Sequence, residues 1–296
     1  MACPSCPTAR GIIKSDLGTG FLRVATLRDI LDQAPEVQHV ELSNYGELFL
    51  NPELVELLRE AHRRGVALTA NNGVNFNHAP RHVLEALVEY EFRSLVCSID
   101  GTTQESYAAY RRGGNLANVL ANIRLLNQLK AARSAVYPAL RWQFVVFGHN
   151  EHQLEDAKRM AEELGMQLFF KLSWDETFSP VRDGPRVEAQ TGLPASSRSD
   201  HERRFGAPYM GSLCQQLWRQ PQLNWDGRVL GCCVNHWGDY GNALTDGLQN
   251  ALNGERMQLA RQMLMGTAPP RSDIPCASCG HYKRIAATGS WLDPCG

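Results

Sequence analysis

No apolar run in this sequence approaches the ~20 residues that cross a bilayer. No charged segment followed by an apolar one opens it either, so neither a membrane span nor a signal peptide is predicted. Net charge is nearly absent: 30 Lys and Arg stand against 31 Asp and Glu, a formal balance of −1. Bulk attraction to nucleic acid or to an anionic membrane is therefore not expected. What is present is ordinary for a globular protein: 296 residues, 43% hydrophobic and 21% charged, enough for one barrel-sized domain plus a small module. The nine cysteines are the unusual feature. Without a secretion signal they point to a reducing, cytoplasmic setting and to ligands rather than disulfides.

The middle of the chain alternates strand and helix patterns. Strands are predicted at Val37–Leu42, Val66–Thr69, Ser94–Gly101, Trp142–Phe147 and Gln167–Leu172. Between them lie helices: Leu27–Gln33 after Thr26, one opening at Asn51-Pro52-Glu53 and ending at Gly65, one from Asn115 to about Ala131, and one capped by Asn150. Asn71-Asn72-Gly73 reads as a turn. Such alternation predicts parallel β-α units, and periodicity alone leaves an open sheet and a barrel both standing. In a barrel the chemistry gathers at the C-terminal strand ends. Tyr45-Gly46-Glu47, Ser98, Gln143, and the group Lys171, Trp174 and Asp175 all lie at or near such ends. From Ser179 to about Pro208 the apolar periodicity lapses, which reads as a linker or ordered loop.

Cysteines cluster at both ends. Cys3-Pro4-Ser5-Cys6 is a Cys-x-x-Cys turn, a spacing suited to a metal, a cluster or a redox pair. Near the other end, Cys214 is followed by twelve residues, Gly227, four residues and Cys232, and later by Cys276-Ala277-Ser278-Cys279. An Asp226-Gly227 hairpin turn would return Cys232 toward Cys214. Four thiolates suit either zinc or iron-sulfur, and spacing alone leaves the two near even. Cys97 reads as a core thiol, Cys233 as a neighbour or alternative ligand, and Cys295 as a free thiol.

In order, these patterns resemble the radical S-adenosylmethionine (radical SAM) superfamily with a C-terminal SPASM or twitch module. The family loop is Cys-x-x-x-Cys-x-x-Cys, and Cys3 and Cys6 fit its second and third cysteines. The first would fall before Met1, so the chain is expected to begin at an internal methionine. The resemblance implies a partial (β/α)6 barrel over residues 1–178, a linker over 179–211 and an auxiliary-cluster module over 212–296. It implies a SAM-binding [4Fe-4S] cluster on Cys3 and Cys6. A single auxiliary [4Fe-4S] cluster is implied on Cys214, Cys232, Cys276 and Cys279, because the longer cysteine run of a two-cluster module is absent. Tyr45-Gly46-Glu47 is similar to the family segment that binds the SAM amino group. Ser98 is the ribose candidate, and Arg112, ahead of Arg111, the SAM-carboxylate candidate. Lys171, Trp174 and Asp175 are the expected substrate contacts. The activity implied is reductive SAM cleavage and hydrogen abstraction, with flavodoxin or ferredoxin as electron donor. The substrate is expected to be a small metabolite or carbohydrate, with peptide modification as the alternative. A non-catalytic zinc or cluster-binding protein is the competing reading of another class.

Overall fold

The computed structural model describes residues 1–211 and 213–293; Cys295 lies outside them. The chain divides into two compact units, Met1–Ile12 with Gln38–Tyr209, and Ile13–Val37 with Met210–Gly296.

The first unit holds a five-stranded parallel sheet in the order β1-β2-β3-β4-β5. The strands are β1 (His39–Glu41), β2 (Ala67–Val74), β3 (Ser94–Ser98), β4 (Ala139–Val146) and β5 (Gln167–Leu172). Helices Leu54–Arg63, Arg81–Glu89, Leu116–Ala132 and Leu154–Glu163 lie between successive strands in the chain. Side chains alternate across a strand, and here the two faces differ in kind. Leu68, Ala70, Leu95, Cys97, Trp142, Phe144 and Val146 form one buried apolar face. Thr69, Ser98, Arg141, Gln143 and Lys171 fall on the other, beside Val96 and Phe169.

Several expectations are corrected. Asn71-Asn72-Gly73 is not a turn: β2 runs through it, with a register shift between Ala70 and Val74. The backbone donors freed by that shift find acceptors on the last residue of β1 and the segment after it. Asn71 N–H donates to Glu41, Asn72 N–H to the Ser43 hydroxyl, and Asn75 N–H to Glu47. Buried backbone amides need partners, so an irregular strand persists here where local propensity favours a turn. Asn150 makes no side-chain cap. It is fully buried: its Oδ1 accepts from Phe147 N–H at 2.8 Å, and its Nδ2 donates to the carbonyls of Asp100 and Val145 at 3.1 and 3.0 Å. It therefore ties the end of β3 to the end of β4. The stretch after Ser179, expected to be a linker or ordered loop, carries helices Gly184–Thr191 and Arg198–Phe205 capped by Asp183 and Ser197.

The second unit includes Ile13–Val37, which the sequence reading assigns to the barrel. Its helix starts at Val24, not Leu27, because Val24, Leu27 and Leu31 continue one apolar stripe; Thr26 lies inside it. Gln33 fixes this helix to its unit, donating to the Ala243 carbonyl at 3.2 Å and accepting from Leu248 N–H at 2.6 Å. Arg228 adds a bond to the Leu17 carbonyl at 2.9 Å. The expected Asp226-Gly227 turn is present: Gly227 has φ +87°, and Leu223 bridges Val229 across it. The helical stretch from Leu248 to Leu264 is broken at Gly254 into Leu248–Asn253 and Glu255–Leu264. Among the described residues no helix is long and apolar enough to cross a membrane.

Candidate functional site

The Cys3-Pro4-Ser5-Cys6 turn is closed by a bond from Cys6 N–H to the Cys3 carbonyl at 3.1 Å. Cys3 is buried beside Tyr110 and Phe147, with Cys6, Val145 and Phe178 packed around them. Two neighbours outside the turn fix it. Ser5, fully buried, donates to Asp175 at 2.6 Å. That bond and the Thr177 hydroxyl hold the Asp175 carboxyl down to about 2. Arg111 places Nη1 3.7 Å from Cys3 Sγ while its Nε and Nη2 grip Asp100 at 2.7 and 2.6 Å. Asp100 is completely buried and also accepts from Val145 N–H at 2.8 Å. Burial raises the Cys3 thiol above its ordinary pKa, and the Arg111 charge works against that rise.

The remaining SAM candidates fall at the ends of β1 and β3. Gly46 has φ +89°, a conformation that favours glycine. Ser98 ends β3 and is buried. Gly73, at φ +105°, leaves room for it: a Cβ there would stand 2.3 Å from Ser98 Oγ. Glu47 accepts from Asn75 N–H at 3.1 Å, yet burial still pushes its carboxyl up to about 7. A carboxyl raised in the fold contributes stability that is present below its unfolded pKa, near 4.5, and lost as pH climbs through about 7. Glu47→Gln should therefore flatten the stability profile between those limits. Urea midpoints at pH 5 and pH 8 check it, and an unchanged difference between the two would count against the burial argument.

The structure brings some of the expected residues together and separates others. Arg112 is exposed, and its carbonyl accepts from Ala2 N–H at 3.0 Å; Arg111 is the arginine beside Cys3. Lys171 Nζ donates to Gln143 Oε1 at 3.3 Å on the polar face of the sheet. Trp174 is exposed, and Asp175 serves the cysteine turn. The Asp100–Arg111 pair was missed as a unit, although the sequence marks both residues at the end of the same β-α step.

In the second unit Cys214 sits on the turn Leu213–Gln215, Cys232 follows the hairpin, Cys276 lies within the helical turn Pro275–Ser278 and Cys279 directly follows it. All four pack against one apolar cluster. Thiolate charge on Cys232, Cys276 or Cys279 would further disfavour ionising Cys214, which places the four within electrostatic reach of one another. Burial pushes the Cys214 and Cys276 thiols up to about 12 and raises Cys232 as well. Amides of Val234 and Asn235 favour the Cys232 thiolate, and Cys233 N–H donates to Gln216 at 2.9 Å. Among the described residues no three His, Cys, Asp or Glu side chains close to metal-binding distance. The donor chemistry still suits a cluster: four thiols pack against one apolar cluster, where a bound metal would reverse the cost of ionising them. Cys97 is buried in β3 and its thiol is raised by desolvation, as a core thiol should be.

Residues 214–280 match SPASM, an iron-sulfur cluster-binding domain. Among curated proteins none matches the sequence. Solved structures with a similar fold include Streptococcus suis SuiB bound to precursor peptide SuiA, at 14% identity and TM-score 0.62 over 90% of this chain and 64% of SuiB. They also include native anSMEcpe with bound AdoMet, at 14% identity and TM-score 0.61 over 95% of this chain and 83% of that one. Native anSMEcpe with bound AdoMet and Cp18Cys peptide matches at 14% identity and TM-score 0.59 over 89% and 80%. This chain spans 64% of the length of SuiB. It has the α/β fold of radical SAM enzymes that carry a C-terminal SPASM domain.

Proposed function

We propose that the chain is a radical SAM enzyme of the SPASM type that modifies a peptide. The observation that carries this reading is the combination, in one such fold, of a Cys3/Cys6 turn faced by Arg111 with a SPASM match over residues 214–280. A [4Fe-4S] cluster with SAM supplies, when bound, a one-electron cleavage that yields a 5'-deoxyadenosyl radical able to take hydrogen from a substrate. Cys3 and Cys6 would supply two of the three thiolates that the family loop gives to that cluster, and the Arg111 charge favours the thiolate that ligation needs. Asp175, through Ser5, fixes the turn. Tyr45, Gly46, Glu47 and Ser98 remain the SAM candidates. Arg112, turned outward, is the weaker partner for a carboxylate, and Arg111 is committed to Asp100. Lys171 and Gln143, joined on the polar face, would meet the substrate, with Trp174 exposed just past β5. Cys214, Cys232, Cys276 and Cys279 would hold an auxiliary cluster for electron transfer, and flavodoxin or ferredoxin is the class of reductant required. The peptides bound to SuiB and to anSMEcpe favour a peptide over the small metabolite expected from sequence. The test is 5'-deoxyadenosine formation by the reconstituted protein with SAM and dithionite. A peptide library should raise turnover, a sugar library should not, and Cys3→Ala/Cys6→Ala should abolish it. Stimulation by sugars alone would reverse the substrate assignment, and unchanged turnover in the double variant would remove the cysteine turn from the chemistry.

A further inference from the structure

Tyr240 is a buried phenol in the second unit whose hydroxyl lies 3.1 Å from Cys276 Sγ. Three features hold it there. Tyr240 N–H donates to the Val229 carbonyl at 2.8 Å and Val229 N–H to the Gly241 carbonyl at 2.8 Å, so the backbone that carries the ring is paired with the returning arm of the hairpin. Gly231, at φ +80°, lies under the ring; a Cβ there would meet Tyr240 Cε2 at 2.6 Å. Both Val229 and Tyr240 belong to the apolar cluster against which the four cysteines pack.

Between a thiol and a phenol either atom can donate. Once Cys276 is a metal-bound thiolate it has no proton, and only the Tyr240 O–H can donate. A hydrogen bond to a charged acceptor in a water-poor pocket is among the stronger kinds. Hydrogen bonds to the sulfurs are also one of the main determinants of a cluster's reduction potential. We propose that Tyr240 is a positioning residue that donates a hydrogen bond to the Cys276 thiolate and raises the reduction potential of the auxiliary iron-sulfur cluster. The proposal rests on the cluster reading given above. Its physical basis is the sign of the charge change. One electron taken up by the cluster adds one negative charge to the cluster-thiolate unit. A fixed donor at the sulfur stabilises the more negative, reduced form more than the oxidised one. An auxiliary cluster that takes one electron from a substrate radical is a better acceptor with this bond than without it.

The test uses the full chain carrying Cys3→Ala/Cys6→Ala, so that only the auxiliary site is loaded, with and without Tyr240→Phe. Both proteins are reconstituted anaerobically, checked for equal iron and sulfide, and titrated with dithionite while the reduced cluster is followed by electron paramagnetic resonance. Tyr240→Phe removes one oxygen and keeps the ring, so the fold is retained. The expected result is a lower midpoint, with the reduced-to-oxidised ratio at the parent's midpoint falling severalfold; a tenfold fall corresponds to about 59 mV for a one-electron couple. An exchangeable proton coupled to the cluster should be lost in the same variant. An unchanged or higher midpoint at equal iron content would overturn the proposal while leaving the cluster in place. Zinc without sulfide in the parent would overturn the cluster reading and the proposal together.

Discussion

Asp100→Asn is expected to cost about 3–5 kcal/mol of stability, the scale for breaking a buried ion pair from one side. Asp100 is completely buried, and Arg111, its partner at 2.6 Å, is only 14% exposed at its side chain. Asparagine keeps the acceptor for Val145 N–H but leaves the guanidinium without a counter-charge next to Cys3. Replacing both partners, as in Asp100→Asn/Arg111→Met, removes the stranded charge. The double variant should be less destabilised than Asp100→Asn alone, a non-additivity that identifies direct coupling. Urea unfolding of the parent, the two single variants and the double variant measures the cycle. Additive losses would mean that the pair does not hold the cysteine turn as described.

The second large effect is expected from Cys214→Ala/Cys276→Ala. The variant removes two of the four proposed cluster ligands, whose thiols burial pushes up to about 12 when no metal is bound. In a small module the free energy of metal binding is largely free energy of folding. The variant should lose the auxiliary cluster, about half of the iron if each site holds one cubane, and its second unit should unfold at lower denaturant than in the parent. The unit also has an apolar core of its own, with Met257, Ala260, Met263 and Leu264 fully buried, so residual helix is expected to persist. Unaltered iron and an unaltered unfolding midpoint would show that Cys214 and Cys276 are not ligands.

Much of this architecture was legible because it rests on local patterns. The five strands could be found from alternation and from the glycines and caps between them, and each is present within a few residues of its expected place. The Cys214-to-Cys232 return was legible because an Asp-Gly turn is a strong local signal. What escaped depends on partners distant in sequence. Asn71-Asn72-Gly73 looks like a turn until Glu41, Ser43 and Glu47 are seen to take the backbone donors of that stretch. Asn150 looks like a helix cap because its real acceptors and donor lie on β4 and after β3. Ile13–Val37 carries nothing local to say that Gln33 will pair with Ala243 and Leu248 rather than with the neighbouring strands. In the candidate site the residue types were legible and their division of labour was not. Two adjacent arginines are equivalent in sequence, and only burial separates Arg111 from Arg112.

The most direct measurement is the metal content of the second unit. Cys3→Ala/Cys6→Ala protein, reconstituted anaerobically with iron and sulfide and offered equimolar zinc, is analysed for all three. About four irons and four sulfides per chain are expected on Cys214, Cys232, Cys276 and Cys279, without stoichiometric zinc. One zinc per chain and no sulfide would contradict that assignment.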